Sequence, residues 1–244
     1  MNSFSTRIVG ILHTEVCLQK LSEERDVLQS TEIDLLEVRL DALPHDCSMR
    51  EWPLPVLATA RDPREGGLNN LSLQERQQLL TAALSWANII DIELASAKEF
   101  APLITMAREQ QREVILSYHN FQTTPSLHEL EVLVSQAIQA GATILKVATM
   151  TNSEQELERL LEFQQLSHPL PVATMGMGPL GKISRLRLAA AGSALVYGWL
   201  YEPLTMMPAS TQWSARELAE KIKITSAQEL EFLIIPDRAA THVQ

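Results

Sequence analysis

Short apolar runs recur along this chain, and a segment with helical periodicity follows most of them. Eight such runs have the length and composition of buried strands. They lie at residues 7–12, 33–38, 55–59, 88–92, 113–118, 142–148, 170–174 and 193–197. The apolar residues between them repeat with helical spacing, for example from Leu71 to Trp86. Eight strands that alternate with helices over 244 residues predict an α/β fold, the closed (β/α)8 TIM barrel.

A doubly wound open sheet is the main alternative, because it shows the same alternation. No Gly-x-Gly-x-x-Gly follows the first run, which disfavours the dinucleotide-binding form of that fold. Capping-box patterns of the form Ser-x-x-Glu mark the predicted helix starts. They begin at Ser72, Ser96, Ser126, Ser153 and Ser214. We expect a single barrel domain over residues 1–244, in which residues 224–244 form a C-terminal extension.

Charge and composition exclude several classes of protein. The net charge of −10 argues against nucleic acid or an anionic membrane as partner. No apolar run is long enough to span a bilayer, and the first residues lack the layout of a signal peptide. Cys17 and Cys47 are the only cysteines, too few for a disulfide framework and without zinc-ligand spacing. We expect a soluble, cytoplasmic protein.

Lys146 is the most informative residue for chemistry. It lies inside the apolar run Ala142–Met150, and lysine is rarely buried unless it is paired or used chemically. A desolvated amine has a lowered pKa and can attack a carbonyl to form a Schiff base. The alternative is a lysine whose stem is packed while its amine reaches water at the strand end.

Other polar residues follow the remaining runs, where a parallel barrel places its active site. The period of two puts Glu37, Arg39 and Asp41 on one face of the second run, and Asp91 and Glu93 on one face of the fourth. The other candidates are Arg61, His119, Met175, Met177, Arg185 and Gln212. Each has a structural alternative, such as a lumen ion pair between Glu37 and Arg39 or core packing of the methionines.

Together these residues suggest imine chemistry on a small anionic ketone. An imine on Lys146 makes a neighbouring C–H acidic, and His119 can move that proton near neutral pH. Glu93 is the predicted carboxylate that orients the imidazole of His119. The arginines suit a carboxylate and hydroxyl groups. No metal-ligand set is evident, since no second histidine completes a site with His13, and no cofactor is expected.

Seven motifs follow one another along the chain. They are Glu37-Val38-Arg39-Leu40-Asp41, Thr59-Ala60-Arg61 with Glu65-Gly66-Gly67, Asp91-Ile92-Glu93-Leu94, Ser117-Tyr118-His119-Asn120-Phe121 with Thr124-Pro125, Lys146-Val147-Ala148, Met175-Gly176-Met177-Gly178 and Ser184-Arg185-Leu186. In the order and spacing of these motifs, the chain resembles the type I 3-dehydroquinate dehydratases, Schiff-base enzymes of the shikimate pathway, from about residue 7 to about residue 218.

The resemblance implies a lyase that converts 3-dehydroquinate to 3-dehydroshikimate and water, a step of chorismate and aromatic amino acid biosynthesis. It implies an imine on Lys146, proton transfers by His119, and positioning of His119 by Glu93. Arg185 and Gln212 would bind the substrate carboxylate. Hydroxyl binding falls to Glu37, Arg39 and Arg61, and ring packing to Met175 and Met177. A homodimer is left open.

Three departures from the family accompany the resemblance. The N-terminal hairpin that commonly closes the barrel bottom is expected to be absent, because the first strand begins near residue 7. The loop before the last helix reads Pro208-Ala209-Ser210-Thr211-Gln212, with Pro208 where the family has serine. We expect this loop to close over the ligand. In the extension, the pattern from Ser226 to Glu229 suggests one added helix that ends at Pro236.

Two other functions remain open from the residues alone. Lys146 equally suits an aldolase-like lyase that acts on a different keto acid, although His119 and the set of Glu37, Arg39 and Arg61 favour the dehydratase. A barrel that keeps these residues only to bind a ligand is the non-enzymatic alternative. Turnover of 3-dehydroquinate distinguishes the three.

Overall fold

The computed structural model describes residues 6–29, 31–43, 51–201 and 212–224. Eight parallel strands form one sheet with the order β7-β6-β5-β4-β3-β2-β1-β8. They are β1 (Arg7–Leu12), β2 (Leu35–Arg39), β3 (Val56–Thr59), β4 (Ile89–Glu93), β5 (Glu113–Asn120), β6 (Ile144–Met150), β7 (Val172–Met177) and β8 (Leu195–Trp199). The predicted barrel is confirmed, with β7 and β8 as the two ends of the sheet.

Helices connect these strands and cover the outside of the barrel. They are α1 (Glu15–Glu23), α2 (Arg25–Gln29), α3 (Leu73–Ala83), α4 (Ala101–Glu109), α5 (Leu127–Gln139), α6 (Glu154–Gln165), α7 (Gly181–Ala190) and α8 (Ala215–Ile224). Within the described residues, none of these helices has the length and apolar character needed to cross a membrane.

Most of the predicted helix starts are confirmed. Reciprocal capping boxes begin α3 at Ser72, α5 at Ser126 and α8 at Ser214. Ser153 caps α6 with its hydroxyl. The prediction at Ser96 is wrong, because Ser96 is buried at the end of a 3-10 turn and α4 begins only at Ala101. Tertiary burial therefore overrode a local pattern at this one position.

The strands run further toward their carboxyl ends than the apolar pattern indicates. β5 continues to Asn120, β6 to Met150 and β7 to Met177. The parallel ladder persists there, for example between His119 and Ala148. Backbone pairing does not depend on side-chain polarity, so polar active-site residues lie on rigid strands rather than in loops.

Alternation of side chains divides the barrel interior into two layers. The lower layer is apolar and contains Leu35, Leu57, Ile89, Ile115 and Ile144. Two residues further along the same strands lies a polar layer of buried side chains. It contains Glu37, Thr59, Asp91, Ser117 and Lys146. The apolar layer thus forms the floor beneath the charged groups.

Several sequence-based predictions lie outside the described residues. The expected absence of an N-terminal hairpin concerns the residues before β1, of which 1–5 are not described, and residues 225–244 make up nearly all of the extension, including its suggested helix. Of the Pro208–Gln212 loop, the described part of the chain includes only Gln212. The closed loop and the single-domain extent to residue 244 therefore stay predictions.

Candidate active site

The Lys146 side chain is buried in the polar layer of the barrel. Its Nζ lies 2.9 Å from Asp91 Oδ2 and 3.8 Å from Glu37 Oε1. The same nitrogen lies 4.4 Å from the centroid of the Tyr197 ring. The amine is therefore held between carboxylates and an aromatic face inside the lumen, as a lysine used in chemistry requires, and it does not extend to water.

Asp91 is the carboxylate nearest to the amine and also binds Arg61. Arg61 Nη2 donates to Asp91 Oδ2 at 2.7 Å, and Ser117 Oγ donates to Asp91 Oδ1 at 2.5 Å. Burial alone would raise the pKa of Asp91, but Arg61 and Lys146 lower it well below its usual value. Asp91 therefore stays ionised beside Lys146.

Glu93 does not occupy the position predicted for it. Its Oε1 accepts from Arg61 Nη1 at 2.8 Å and from the Asp62 backbone N–H at 2.9 Å, and its Oε2 pairs with Arg76 Nη2. The expectation that Glu93 orients His119 is wrong in this geometry. Because both oxygens are engaged by cations or an amide, Glu93 is a structural counter-ion of Arg61 and Arg76.

Glu65 holds His119 instead. Its Oε2 lies 2.9 Å from His119 Nδ1 and accepts from the His119 backbone N–H at 3.0 Å. A single carboxylate oxygen thus fixes both the strand and the ring. The Phe121 ring lies nearly parallel to the imidazole, with 6.4 Å between centroids. This arrangement leaves Nε2 as the nitrogen that can face a substrate.

Two glycines allow Glu65 to reach across to β5. A short 3-10 turn, Pro63–Glu65, follows β3 and ends at Gly66, whose φ of 84° lies in the left-handed region. A Cβ at Gly67 would lie 2.2 Å from the Arg61 carbonyl oxygen. The loop therefore folds back tightly on Arg61 only because both positions are glycine, and this fold directs Glu65 toward His119.

The pKa values of His119 and Glu65 are shifted in opposite directions. Burial, with Arg61 and Lys146 nearby, lowers the pKa of His119 well below its usual value. Burial and the charge of Glu93 raise the pKa of Glu65 to about 7. The imidazole is therefore neutral at neutral pH and can accept a proton, and Glu65 lies near the midpoint of its own titration.

Glu37 and Arg39 lie beside this centre on β2. Glu37 Oε1 accepts from Thr59 Oγ1 at 3.0 Å. Arg39 forms a bidentate pair with Asp41, with Nε···Oδ1 of 2.9 Å and Nη2···Oδ2 of 2.7 Å. Asp41 in turn accepts from the Leu68 backbone N–H at 2.9 Å. The three charges predicted for one face are thus brought together, with Arg39 the most exposed of them.

Arg185 lies on the opposite side of the lumen, in the second turn of α7. Its Nε donates to the Tyr197 carbonyl at 3.0 Å, and its Nη1 donates to the carbonyls of Gly181 at 2.7 Å and Gly176 at 3.2 Å. Burial lowers its pKa to about 10. Within the described residues no carboxylate pairs with this guanidinium, so its positive charge is uncompensated.

The remaining predicted residues lie on the same side as Arg185. Gln212 Nε2 donates to the Tyr197 carbonyl at 3.4 Å, which places the amide beside the Arg185 guanidinium. Met175 is buried and Met177 half-buried on β7, and both pack against the apolar side chains of the barrel interior. All ten predicted site residues therefore lie on the barrel strands, in the segments that follow β3 and β8, or on α7.

Sequence reasoning gave no role to Glu65 or Asp91. The sequence did indicate the position of Asp91, because Asp91 and Glu93 are two residues apart on a buried strand and therefore share the face that lines the lumen. The signal for Glu65 was weaker: an acidic residue directly before two glycines and shortly after Arg61. In the described part of the chain, no group of three or more His, Cys, Asp or Glu side chains is arranged to hold a metal ion.

Comparison with known proteins gives consistent matches. A family model described as type I 3-dehydroquinase matches residues 14–229. The 3-dehydroquinate dehydratase of Methanothermobacter thermautotrophicus is 39% identical over 170 residues, covering 67% of this chain and 74% of that protein. The enzyme of the same name from Clostridium kluyveri is 30% identical over 229 residues, covering 86% and 88%.

A solved structure gives the same result at the level of the fold. The 3-dehydroquinate dehydratase from Geobacillus kaustophilus superimposes with a TM-score of 0.76 at 27% identity, covering 90% of this chain and 91% of that chain.

Proposed function

Because this chain belongs to the type I 3-dehydroquinase family, we propose that it converts 3-dehydroquinate to 3-dehydroshikimate and water through an imine on Lys146. Family membership makes the chain a carbon–oxygen hydro-lyase of the shikimate pathway, and the Schiff-base route is characteristic of the type I family. The single observation that supports the assignment of residues is the burial of the Lys146 amine beside Asp91, in the same lumen as a neutral imidazole.

The first stage forms the imine. Neutral His119 takes a proton from the Lys146 ammonium, and the free amine attacks the C3 ketone to give a carbinolamine. His119 then returns this proton to the carbinolamine hydroxyl, which leaves as water, and a protonated imine remains. The iminium is part of the Lys146 side chain, so its positive charge stays beside the ionised Asp91, which lies 2.9 Å from Nζ. The carboxylate therefore stabilises the iminium electrostatically.

The second stage eliminates water from the ring. The iminium withdraws electrons and makes the C2 proton acidic, so the neutral His119 removes it and an enamine forms. The enamine electrons then expel the C1 hydroxyl, which takes the proton from His119 and leaves as water. Addition of water to the conjugated iminium returns Lys146 and releases the product. Glu65 holds the imidazole in one tautomer through these transfers.

Arg185 is the residue we assign to the substrate carboxylate. A buried cation without a carboxylate partner is costly, and an anionic ligand would compensate it. Gln212 lies beside it and can donate to the same group. The protein as a whole carries a charge of −10, so this local positive site is required to hold an anion.

We assign recognition of the substrate ring to side chains on β2, across the lumen from Arg185, and to side chains on β7. Glu37 and Arg39 can bind the ring hydroxyls, and Met175 and Met177 can pack against the ring carbons. Arg61 was expected to share in hydroxyl binding. Its two η nitrogens are engaged by Asp91, Glu93 and Ser117, which supports a main role as counter-ion to those carboxylates. A homodimer and a cytoplasmic location stay predictions.

Borohydride trapping tests the proposal. The wild-type enzyme should generate the conjugated enone from 3-dehydroquinate, and reduction during turnover should inactivate it and add ligand mass to the peptide that contains Lys146. Lys146→Ala should lose both turnover and adduct while staying folded. The exposed Lys98→Ala variant is the matched control and should keep both. An adduct on another peptide, or turnover by Lys146→Ala, would refute the assignment.

His119→Ala supplies a second test of the same mechanism. General acid–base catalysis typically contributes roughly 10²–10⁴-fold, so turnover should fall at least that far and covalent intermediate should accumulate. Near-normal turnover in this variant would remove His119 from the mechanism.

A further inference from the structure

Two aromatic side chains, Trp199 and His13, contact each other at the carboxyl ends of β8 and β1. Trp199 is the last residue of β8, and His13 directly follows β1. The strands pair so that Ile11 lies opposite Trp199. The two rings contact each other, with 4.8 Å between centroids and a tilt of 48°. Trp199 shares its strand face with Tyr197 and packs against the apolar side chains of the barrel interior. Trp199 and His13 therefore face the proposed substrate site.

Both rings carry a polar atom that is unpartnered. Trp199 Nε1 and His13 Nδ1 are withdrawn from solvent, and neither has a hydrogen-bond partner in the structure of the described residues. Most buried polar side-chain atoms in native proteins are hydrogen-bonded. Leaving one unpaired costs more than a typical hydrogen bond contributes. These two atoms lie in adjacent rings at the mouth of the proposed ligand site, where the oxygens of a polar ligand can supply their partners.

The surroundings of His13 define what it can bind. Arg39 and Glu37 on β2 face it, and Trp199 covers it from β8. Burial and the charge of Arg39 lower the pKa of His13, and Glu37 raises it to a lesser extent. The imidazole is therefore neutral, so Nδ1 can accept from or donate to a hydroxyl. The indole N–H can only donate.

We propose that Trp199 and His13 are substrate-contact residues that form the β8–β1 wall of the site. The indole N–H donates to an oxygen of the substrate ring, and His13 Nδ1 exchanges a hydrogen bond with a ring hydroxyl. The wall joins the carboxylate-binding side at Arg185 to the hydroxyl-binding side at Arg39. This proposal rests on the proposed function, because it takes a polyhydroxylated cyclic keto acid as the ligand.

Trp199→Phe tests the proposal, because it removes the N–H and keeps a ring against His13. One neutral hydrogen bond corresponds to about a 2- to 10-fold effect, so KM for 3-dehydroquinate should rise by about that factor with kcat little changed. Thermal stability without substrate should stay equal or increase, since a buried unpaired donor is removed. A purely structural role for Trp199 would instead lower stability and leave KM unchanged.

Trp52→Phe is the matched control. Trp52 Nε1 is also buried and unpartnered within the described chain, but its ring stacks on Trp86 at 5.5 Å and packs against the outer core before β3. This variant should match Trp199→Phe in stability and leave KM unchanged. His13→Phe removes the ring nitrogens and should raise KM as Trp199→Phe does.

The kinetic results distinguish failure of the β8–β1 wall proposal from failure of the proposed dehydratase function. An active wild-type enzyme whose KM is unchanged in both Trp199→Phe and His13→Phe overturns the wall and leaves the dehydratase standing. A wild-type enzyme that does not turn over 3-dehydroquinate overturns both. A rise in KM confined to the two wall variants, with Trp52→Phe unaffected, supports the proposal.

Discussion

The two sides of the barrel lumen treat charge in opposite ways. On the β2–β4 side every arginine of the site has carboxylate partners: Arg39 pairs with Asp41, and Arg61 pairs with Asp91 and Glu93. On the β7–β8 side Arg185 donates only to backbone carbonyls within the described residues, and the nearby Trp199 Nε1 has no partner. Within the described ranges, the carboxylates and arginines of the first side are all paired, whereas no carboxylate lies beside Arg185 on the second side.

The difference assigns distinct tasks to the two sides. The ion pairs already formed on the β2–β4 side hold Asp91 ionised and in place beside Lys146 before the substrate binds, which is preorganisation for catalysis. Uncompensated donors gain partners only when an anionic, oxygen-rich ligand enters, so they contribute to binding. We therefore expect substitutions on the β2–β4 side to change stability most, and substitutions on the β7–β8 side to change substrate binding most.

Arg61→Met should produce the largest effect on stability. Removing one partner of a buried ion pair typically costs about 3–5 kcal/mol, because the remaining charge is left unpaired, and here two carboxylates are affected. Urea unfolding measures the change. Arg64→Met, at an exposed arginine paired with Asp62, is the control and should have little effect. Similar stabilities for the two variants would contradict the idea of a preorganised side.

Glu65→Gln tests the carboxyl group with the raised pKa. The folded protein holds this proton more tightly than the unfolded chain, so stability falls as pH rises from the ordinary pKa of 4.5 through about 7. The loss is at most about 3 kcal/mol. Because glutamine does not ionise, the variant should lose less stability than the wild type between pH 4 and 8, while turnover slows.

Urea unfolding at both pH values measures this difference, with the exposed Glu99→Gln variant as control. If Glu65→Gln and Glu99→Gln show the same pH dependence as the wild type, Glu65 does not carry a proton near neutral pH.

Arg185→Met should affect binding more than stability. A hydrogen bond to a charged group contributes about 1.5–3 kcal/mol, so kcat/KM should fall by about 10- to 100-fold. Stability should fall less than in Arg61→Met, since no buried carboxylate loses its partner. Steady-state kinetics measures kcat/KM of Arg185→Met, and urea unfolding of the same preparation measures its stability for comparison with Arg61→Met. An Arg185→Met enzyme with normal kcat/KM would mean that another group binds the carboxylate.

Gln212→Ala should give the smallest change on this side. It removes one neutral donor beside Arg185, which corresponds to about a 2- to 10-fold rise in KM, with kcat little altered. A Gln212→Ala effect larger than that of Arg185→Met would reverse the order of the two contributions to anion binding.

The sequence alone predicted the architecture because periodicity is a local property. Alternating apolar runs and capping patterns at Ser72, Ser126 and Ser214 depend only on neighbouring residues, and they predicted eight strands and the starts of helices. The same alternation placed Lys146 and Asp91 inside the lumen. Residues such as His119 were found because polar side chains at strand ends are concentrated at one mouth of a parallel barrel.

What tertiary structure alone decided is which charges meet. The sequence does not distinguish Glu93 from Glu65 as a partner of His119. In the folded barrel Glu93 pairs with Arg61 and Arg76. A loop that depends on glycine brings Glu65 past β4 to His119. Pairing across the barrel depends on distances between strands far apart in the chain, which no local pattern encodes. For the same reason two features became visible only in the folded barrel: Arg185 has no carboxylate beside it among the described residues, and His13 contacts Trp199.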